Sequence, residues 1–323
     1  MASLTEFELI ARYFSRPAPD AVLGAGDDAA LLAPAPGMNL AVTSDTLVAG
    51  VHFFPDAEPY ALGWKTLAVN LSDLAAMGAL PRWVLLSLTL PETNEAWLAA
   101  FAAGFYACAE KFSVCLVGGD TTRGALTFSV TALGEVAPGR ALCRHGAKAG
   151  DDIWVSGYPG LAALALQEME GKIALPDPLR PLCQKRLHMP EPRVALALSL
   201  LDLAHAAIDI SDGLLNDLTH IARRSSLLAK VFVHCLPRMP AGVARETALS
   251  ALLSGGDDYE LLFTAAPEKR LELAGLAARL DLPLWRIGEM ALPDSGGDPA
   301  ARLVDMDGNT IPWGQGGYEH FVS

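Results

Sequence analysis

The chain has 323 residues and a formal net charge of −13, from 37 acidic and 24 basic side chains. That balance lacks the basic footprint nucleic-acid binding requires, and no like-charge run forms an arm or tail. Hydrophobic residues at 51% against 19% charged exclude a disordered chain, and five cysteines with no C-x-x-C spacing point to neither a disulfide framework nor zinc.

At roughly 150 residues per domain, two domains are expected. The N-terminus has no basic region ahead of an apolar run, so no signal peptide is read, and Ser3-x-x-Glu6 opens an amphipathic helix bearing Phe7, Ile10 and Phe14. Short strands are expected at 29–33 and 40–43 on either side of a Pro-Gly turn. Lys65 to Met77 reads as a helix ended by Gly78, with Leu67, Leu71, Leu74 and Ala75 in the core and Thr66, Asn70, Asp73 and Met77 on another face. A strand over 83–90, an aromatic-striped helix over 94–111 and strands at 114–117 and 126–133 follow. The turn-rich passage near residue 150 marks the boundary, giving domains 1–148 and 149–323. In the second half, strands are expected at 152–156, 230–235, 260–265, 284–288 and 302–305, and helices at 160–170, 192–204, 213–226 and 267–280. The fold class is therefore α/β (α+β) in two layered domains. No 18-residue apolar stretch is free of charge, so no membrane span is expected.

Six acidic clusters stand at the ends of apolar stretches: Gly26-Asp27-Asp28, Thr43-Ser44-Asp45-Thr46, Asn70-Leu71-Ser72-Asp73, Gly118-Gly119-Asp120-Thr121-Thr122, Asp209-Ile210-Ser211-Asp212-Gly213 and Gly255-Gly256-Asp257-Asp258-Tyr259-Glu260. One Asp beside Gly is ordinarily a turn. Six recurrences suggest hard oxygen donors for Mg²⁺, which takes one or two carboxylates together with substrate phosphates. Two carboxylates about 4 Å apart repel by roughly 4 kcal/mol at an effective dielectric near 20, so a cleft of such pairs needs cations. P-loop, protein-kinase and Rossmann motifs are missing. Any nucleotide would be held through metals and glycine backbone, for which Val117-Gly118-Gly119-Asp120 is a candidate. Ser211, ahead of a helix, could aim N–H groups at an anion.

Together these motifs, with Thr43-Ser44-Asp45-Thr46-Leu47-Val48, His52-Phe53 and the ending Gly317-Tyr318-Glu319-His320-Phe321, resemble thiamine-monophosphate kinase along nearly the whole chain. The resemblance implies a two-domain synthetase-like fold shared with aminoimidazole ribonucleotide synthetase and selenophosphate synthetase. Its N-terminal sheet would pair across a homodimer into a barrel, and a C-terminal α/β sandwich would complete the site. It implies a cytoplasmic enzyme acting on thiamine monophosphate, with ATP as co-substrate and several Mg²⁺, and with no nucleic-acid or membrane partner. By motif match, Asp28, Thr43, Ser44, Asp45, Asp73, Asp120, Asp209 and Asp212 are metal ligands, and Asp45 and Asp120 are catalytic through Mg²⁺. Gly119, Asp120, Arg144 and Ser211 contact ATP, while His52, Glu260 and Tyr318 contact the thiamine substrate. Asp257 stands where that family more often has Glu, Tyr158-Pro159-Gly160-Leu161 lacks the polar residue expected after a strand, and Trp313 to Gly317 is glycine-rich.

The chemistry so implied is in-line transfer of the ATP γ-phosphoryl group to a phosphate whose second pKa is near about 6, so no general base is needed. The acids are expected to converge on one triphosphate. Competing readings are another ATP-dependent synthetase of the same fold, a non-catalytic Mg-nucleotide-binding module, and a metal-dependent phosphatase. A selenium-activating enzyme would carry a reactive cysteine near its start, whereas the first here is Cys108, inside an expected helix.

Overall fold

A computed structural model describes residues 5–238, 241–293 and 297–314. The described residues form two compact units. One runs to Ala75 and resumes over Ala79–Arg140; the other holds Ala76–Gly78 and the described residues from Ala141 onward.

The first unit contains α1 (Glu6–Tyr13), β1 (Asn39–Val48), α2 (Pro59–Ala76), β2 (Leu80–Leu90), α3 (Glu95–Phe112), β3 (Cys115–Arg123) and β4 (Thr127–Val136). α1 is started by a capping box of Thr5 and Glu8, two residues beyond the one read from the sequence. The stretch 29–33 makes only a bridge, Leu23 to Leu31. Strand order is β1-β4-β2-β3, with β4 antiparallel to β1 and β2, and β2 parallel to β3. Leu67, Leu71, Leu74 and Ala75 of α2 are fully buried, as their spacing requires. Phe101 of α3 stacks on Phe128 of β4 at 4.8 Å between centroids. The other sheet face is open: Leu40, Val42 and Leu85 are 42%, 60% and 37% exposed.

The second unit carries β5 (Asp152–Ser156), α4 (Leu161–Met169), α5 (Arg180–His188), α6 (Val194–Leu200), β6 (Ala204–Asp209), α7 (Leu214–Ser225), β7 (Leu228–Phe232), α8 (Arg245–Ser254), β8 (Leu261–Ala265), α9 (Arg270–Leu280), β9 (Leu284–Ala291) and β10 (Ala301–Val304). Its described strands run β10-β7-β9-β5-β8-β6. α7 lays Leu214, Leu218, Ile221 and Ala222 into a core shared with Ile208 of β6 and Leu262 of β8. The sequence reading misses α5, α8 and β6. α5 begins Arg-Pro and is polar over much of its length, and its helicity comes from packing Cys183 and Leu187 against α4. All five cysteines are free thiols.

Candidate active site

In the first unit, β1 alternates. Ser44 and Thr46 point to the open face, where Thr46 Oγ1 lies 2.7 Å from Ser129 Oγ and the Thr131 hydroxyl donates to Ser44 Oγ at 3.2 Å. Thr43 and Asp45 belong to the face toward α2. The Thr43 hydroxyl donates to Asp73 Oδ2 at 2.5 Å, and the Asp45 backbone N–H donates to Asn70 Oδ1 at 3.0 Å. The helical face read from Asn70 and Asp73 therefore points at β1 (the three-residue step puts both on one side).

Asp120 lies elsewhere. β3 pairs with β2 through a register shift that passes Val117, and position 119 requires glycine, since its φ is 151° and a Cβ there would sit 1.8 Å from the Leu86 carbonyl oxygen. Beyond this bulge Asp120 falls opposite Ser87, in one row across the open face with Ser129 and Thr46. Two strands separate β3 from β1, so Asp45 and Asp120 are three strand spacings apart, roughly 14 Å, on opposite faces. Asp28 is exposed, and its N–H donates to Asp27 Oδ1 at 2.9 Å. Among the described residues no three His, Cys, Asp or Glu side chains gather closely enough to hold a metal by themselves. The expected convergence is thus not made within this unit, because sheet order places the acids on both edges. The donors present are nonetheless carboxylate and hydroxyl oxygens, which fit a hard cation that also uses substrate phosphates. At His52, Nδ1 accepts the Val48 N–H at 3.1 Å, which leaves Nε2 to carry the ring proton when the imidazole is neutral.

In the second unit, Asp209 and Asp212 flank the turn between β6 and α7. Its N–H groups do face an anion, but that anion is internal: Ser211, Asp212 and Gly213 all donate to Asp217 Oδ2, at 3.1, 3.1 and 3.2 Å. Burial, aided by the nearby charge of Asp212, pushes the Asp217 carboxyl up to about 7 against those three bonds. The 255–260 segment runs alongside, with Asp257 N–H donating to Ser211 O at 3.0 Å and Tyr259 N–H to Ile210 O at 2.9 Å. Asp257 and Tyr259 adopt φ 65° and 51°, in the left-handed region, and the Tyr259 hydroxyl donates to Asp257 Oδ1 at 3.0 Å.

Glu260 is 2% exposed. Arg193 Nε donates to its Oε2 at 2.7 Å, Arg193 Nη2 bonds Oε1, and the Ser156 hydroxyl donates to Oε2 at 2.5 Å. Burial lowers the Arg193 pKa, but the charge and hydrogen bonds of Glu260 outweigh it and leave the guanidinium above its ordinary value. Arg144 is exposed, and after burial its charge is the largest influence lowering the pKa of His220 on α7. Trp313 Nε1 donates to Ser254 Oγ at 2.9 Å. Tyr318 lies outside the described residues.

The helix start that lacked a polar residue is completed from afar. Both carboxylate oxygens of Asp258 accept the Gly160 N–H, at 2.8 Å each, ahead of α4. Burial holds the Asp258 carboxyl well above its ordinary value of 3.8. A raised folded-state pKa contributes stability that is fully present below the unfolded value and is lost as pH rises through the folded one. Asp258→Asn should therefore flatten part of the fall in melting temperature from acid to alkaline pH; an unchanged pH profile by scanning calorimetry would contradict this. Of the residues that matter locally, the sequence reading misses Asp217, Ser156 and Arg193, and Asp258, read there as one of a cluster of oxygen donors for a cation, serves Gly160 N–H instead. Only Asp217, an acid in the first turn of a helix, left a local signal.

The first unit carries an AIR-synthase-related domain: residues 26–136 match the family described as AIR synthase related protein, N-terminal domain. Thiamine-monophosphate kinase of Salmonella typhimurium is 44% identical over 326 residues, covering 98% of each chain. Thiamine-monophosphate kinase from Stenotrophomonas maltophilia superposes with a TM-score of 0.84 at 49% identity, covering 94% of this chain and 95% of that one. The structure of AaThiL complexed with AMPPCP and TMP gives 0.77 at 30% identity, covering 90% and 89%. The chain belongs to the thiamine-monophosphate kinase family.

Proposed function

We propose that this protein transfers the γ-phosphoryl group of ATP to thiamine monophosphate, giving thiamine diphosphate. The observation carrying this is the 44% identity to a thiamine-monophosphate kinase across 98% of both chains, and the superposition on a relative complexed with AMPPCP and TMP supports it. The acceptor phosphate is already largely ionised at neutral pH, so the chain needs to orient and neutralise rather than abstract a proton. Magnesium, when bound, supplies charge neutralisation at the phosphates. Asp28, Thr43, Ser44, Asp45 and Asp73, with Asp120 on its own face and Asp209 and Asp212 in the second unit, are the oxygen donors for it. Gly119 and Arg144 serve the nucleotide, as does Ser211 through its hydroxyl, since its N–H is taken by Asp217. His52 serves the acceptor, and so does Tyr318, which is beyond the described residues. Glu260, read from the motif as the third acceptor contact, keeps that place in this reading, with its carboxylate oriented by Arg193 and Ser156.

The working form is a homodimer. The open sheet face mixes apolar side chains with hydroxyls, and Leu40, Val42 and Leu85 on it are exposed, which supports the reading that a second copy covers it. Among the described residues no helix is long and apolar enough to cross a membrane. The deciding assay supplies thiamine monophosphate, ATP and Mg²⁺ with plain thiamine as control acceptor. Formation of thiamine diphosphate only from the monophosphate is expected; phosphate release without ATP would instead mark a phosphatase. Mg²⁺ with a non-hydrolysable ATP analogue at about 100 times its Kd should add about 2.7 kcal/mol of stability. A melting temperature unmoved by both together would sink the binding claim.

A further inference from the structure

The turn Asp209–Gly213 carries two proposed magnesium ligands, and the way it is held assigns a role to a residue outside them. Gly213 precedes α7 at φ 122° and ψ 143° and has no side chain to cap the helix. The three successive N–H groups of Ser211, Asp212 and Gly213 ahead of α7 are buried or half-buried and need an acceptor of their own. Asp217 reaches back over the first turn and takes all three on one oxygen. It is 2% exposed, so water does not compete for these bonds. A side chain at position 213 is not available for this, because at φ 122° a Cβ there would come within 2.9 Å of the Ser254 carbonyl carbon. The acid instead holds N–H groups of the turn itself. The turn is clamped from the opposite side as well: Ser211 O accepts the Asp257 N–H at 3.0 Å, and a Cβ on Gly256 would come within 2.3 Å of that same oxygen. With N–H and C=O sides both fixed, the turn has one shape, and that shape sets the direction of the Asp209 and Asp212 carboxylates.

We infer that Asp217 is a positioning residue for Mg-nucleotide: it fixes the turn bearing Asp209 and Asp212 and touches no substrate itself. The identity of the ligand rests on the proposed function; the geometry of the clamp does not. The test compares the full-length wild type with Asp217→Ala, Asp217→Glu and Asp217→Asn. Calorimetry reads binding of a non-hydrolysable ATP analogue over a magnesium series, turnover reads the KM for thiamine monophosphate, and melting temperature reads folding. Residues that orient metal ligands typically change metal affinity by about 10- to 100-fold, so Asp217→Ala should raise the half-saturating Mg²⁺ by about tenfold or more. The KM for thiamine monophosphate should stay within about twofold, a split that general loosening of the fold would not give. Asp217→Asn keeps an oxygen acceptor and should restore magnesium dependence to within about threefold of wild type. Asp217→Glu, one methylene longer, should behave like the alanine variant and replaces it in the comparison if alanine fails to fold. Wild-type magnesium dependence in folded Asp217→Ala or Asp217→Glu overturns the inference, as does an equal loss in Asp217→Asn. A wild type that binds the analogue but makes no thiamine diphosphate overturns the proposed function instead, and leaves the calorimetric comparison intact.

Discussion

Asp45→Asn should lower kcat by about 10²-fold or more while leaving the fold in place. A bond that helps hold this position uses the Asp45 backbone N–H, donated to Asn70 Oδ1 at 3.0 Å, so the amide variant keeps it. What it loses is a charge suited to a hard cation and to the phosphates that cation bridges. Asp120→Asn should produce a similar loss from the open face of the sheet, where its row is Ser87, Ser129 and Thr46. Product formation gives kcat and a thermal melt reports folding. Wild-type turnover in either variant would remove that residue from the catalytic set, and a collapsed melt would show that it is structural.

Arg193→Ala should be among the most destabilising substitutions in the second unit. It would leave Glu260, 2% exposed, with its carboxylate stripped of a two-pronged guanidinium partner. Removing one member of a buried ion pair costs about 3–5 kcal/mol, which for a unit of this size lowers Tm by roughly 10 °C. Arg186 stands farther off, its Nη1 3.9 Å from Glu260 Oε1, outside hydrogen-bond reach in this arrangement. A melt within about 2 °C of wild type would show that water or a neighbour compensates the carboxylate. Activity of whatever folded fraction remains would then separate support of the 255–260 segment from direct substrate contact, because only the latter changes the KM for thiamine monophosphate.

What the sequence makes legible follows from local rules. Leu67, Leu71 and Leu74 repeat at helical spacing and are buried; Asn70 and Asp73 share a face and meet β1. The strand Asp152–Ser156 was bounded to the residue, since a short apolar run after turn signals has few other options. The motifs also marked the family, because their order along the chain is more specific than any one of them. What escaped depended on distant partners. Nothing beside Glu260 in sequence announces Arg193, 67 residues away. Nothing near Gly160 announces Asp258, which lies 98 residues on. The convergence of Asp45 with Asp120 was inferred from similarity of motif, whereas sheet order decides it, and order β1-β4-β2-β3 puts them on opposite edges.

The left-handed backbone at Asp257 and Tyr259 has a bearing on how this enzyme would respond to thermostability engineering. Each such non-glycine residue stores on the order of 1–3 kcal/mol that the surrounding packing must offset. Glycine at position 257 would relieve part of that tension, so a selection for heat resistance alone should return hits there. Such hits would slacken the segment that flanks the Asp209–Gly213 turn, and a more durable but slower protein is the outcome to expect from them.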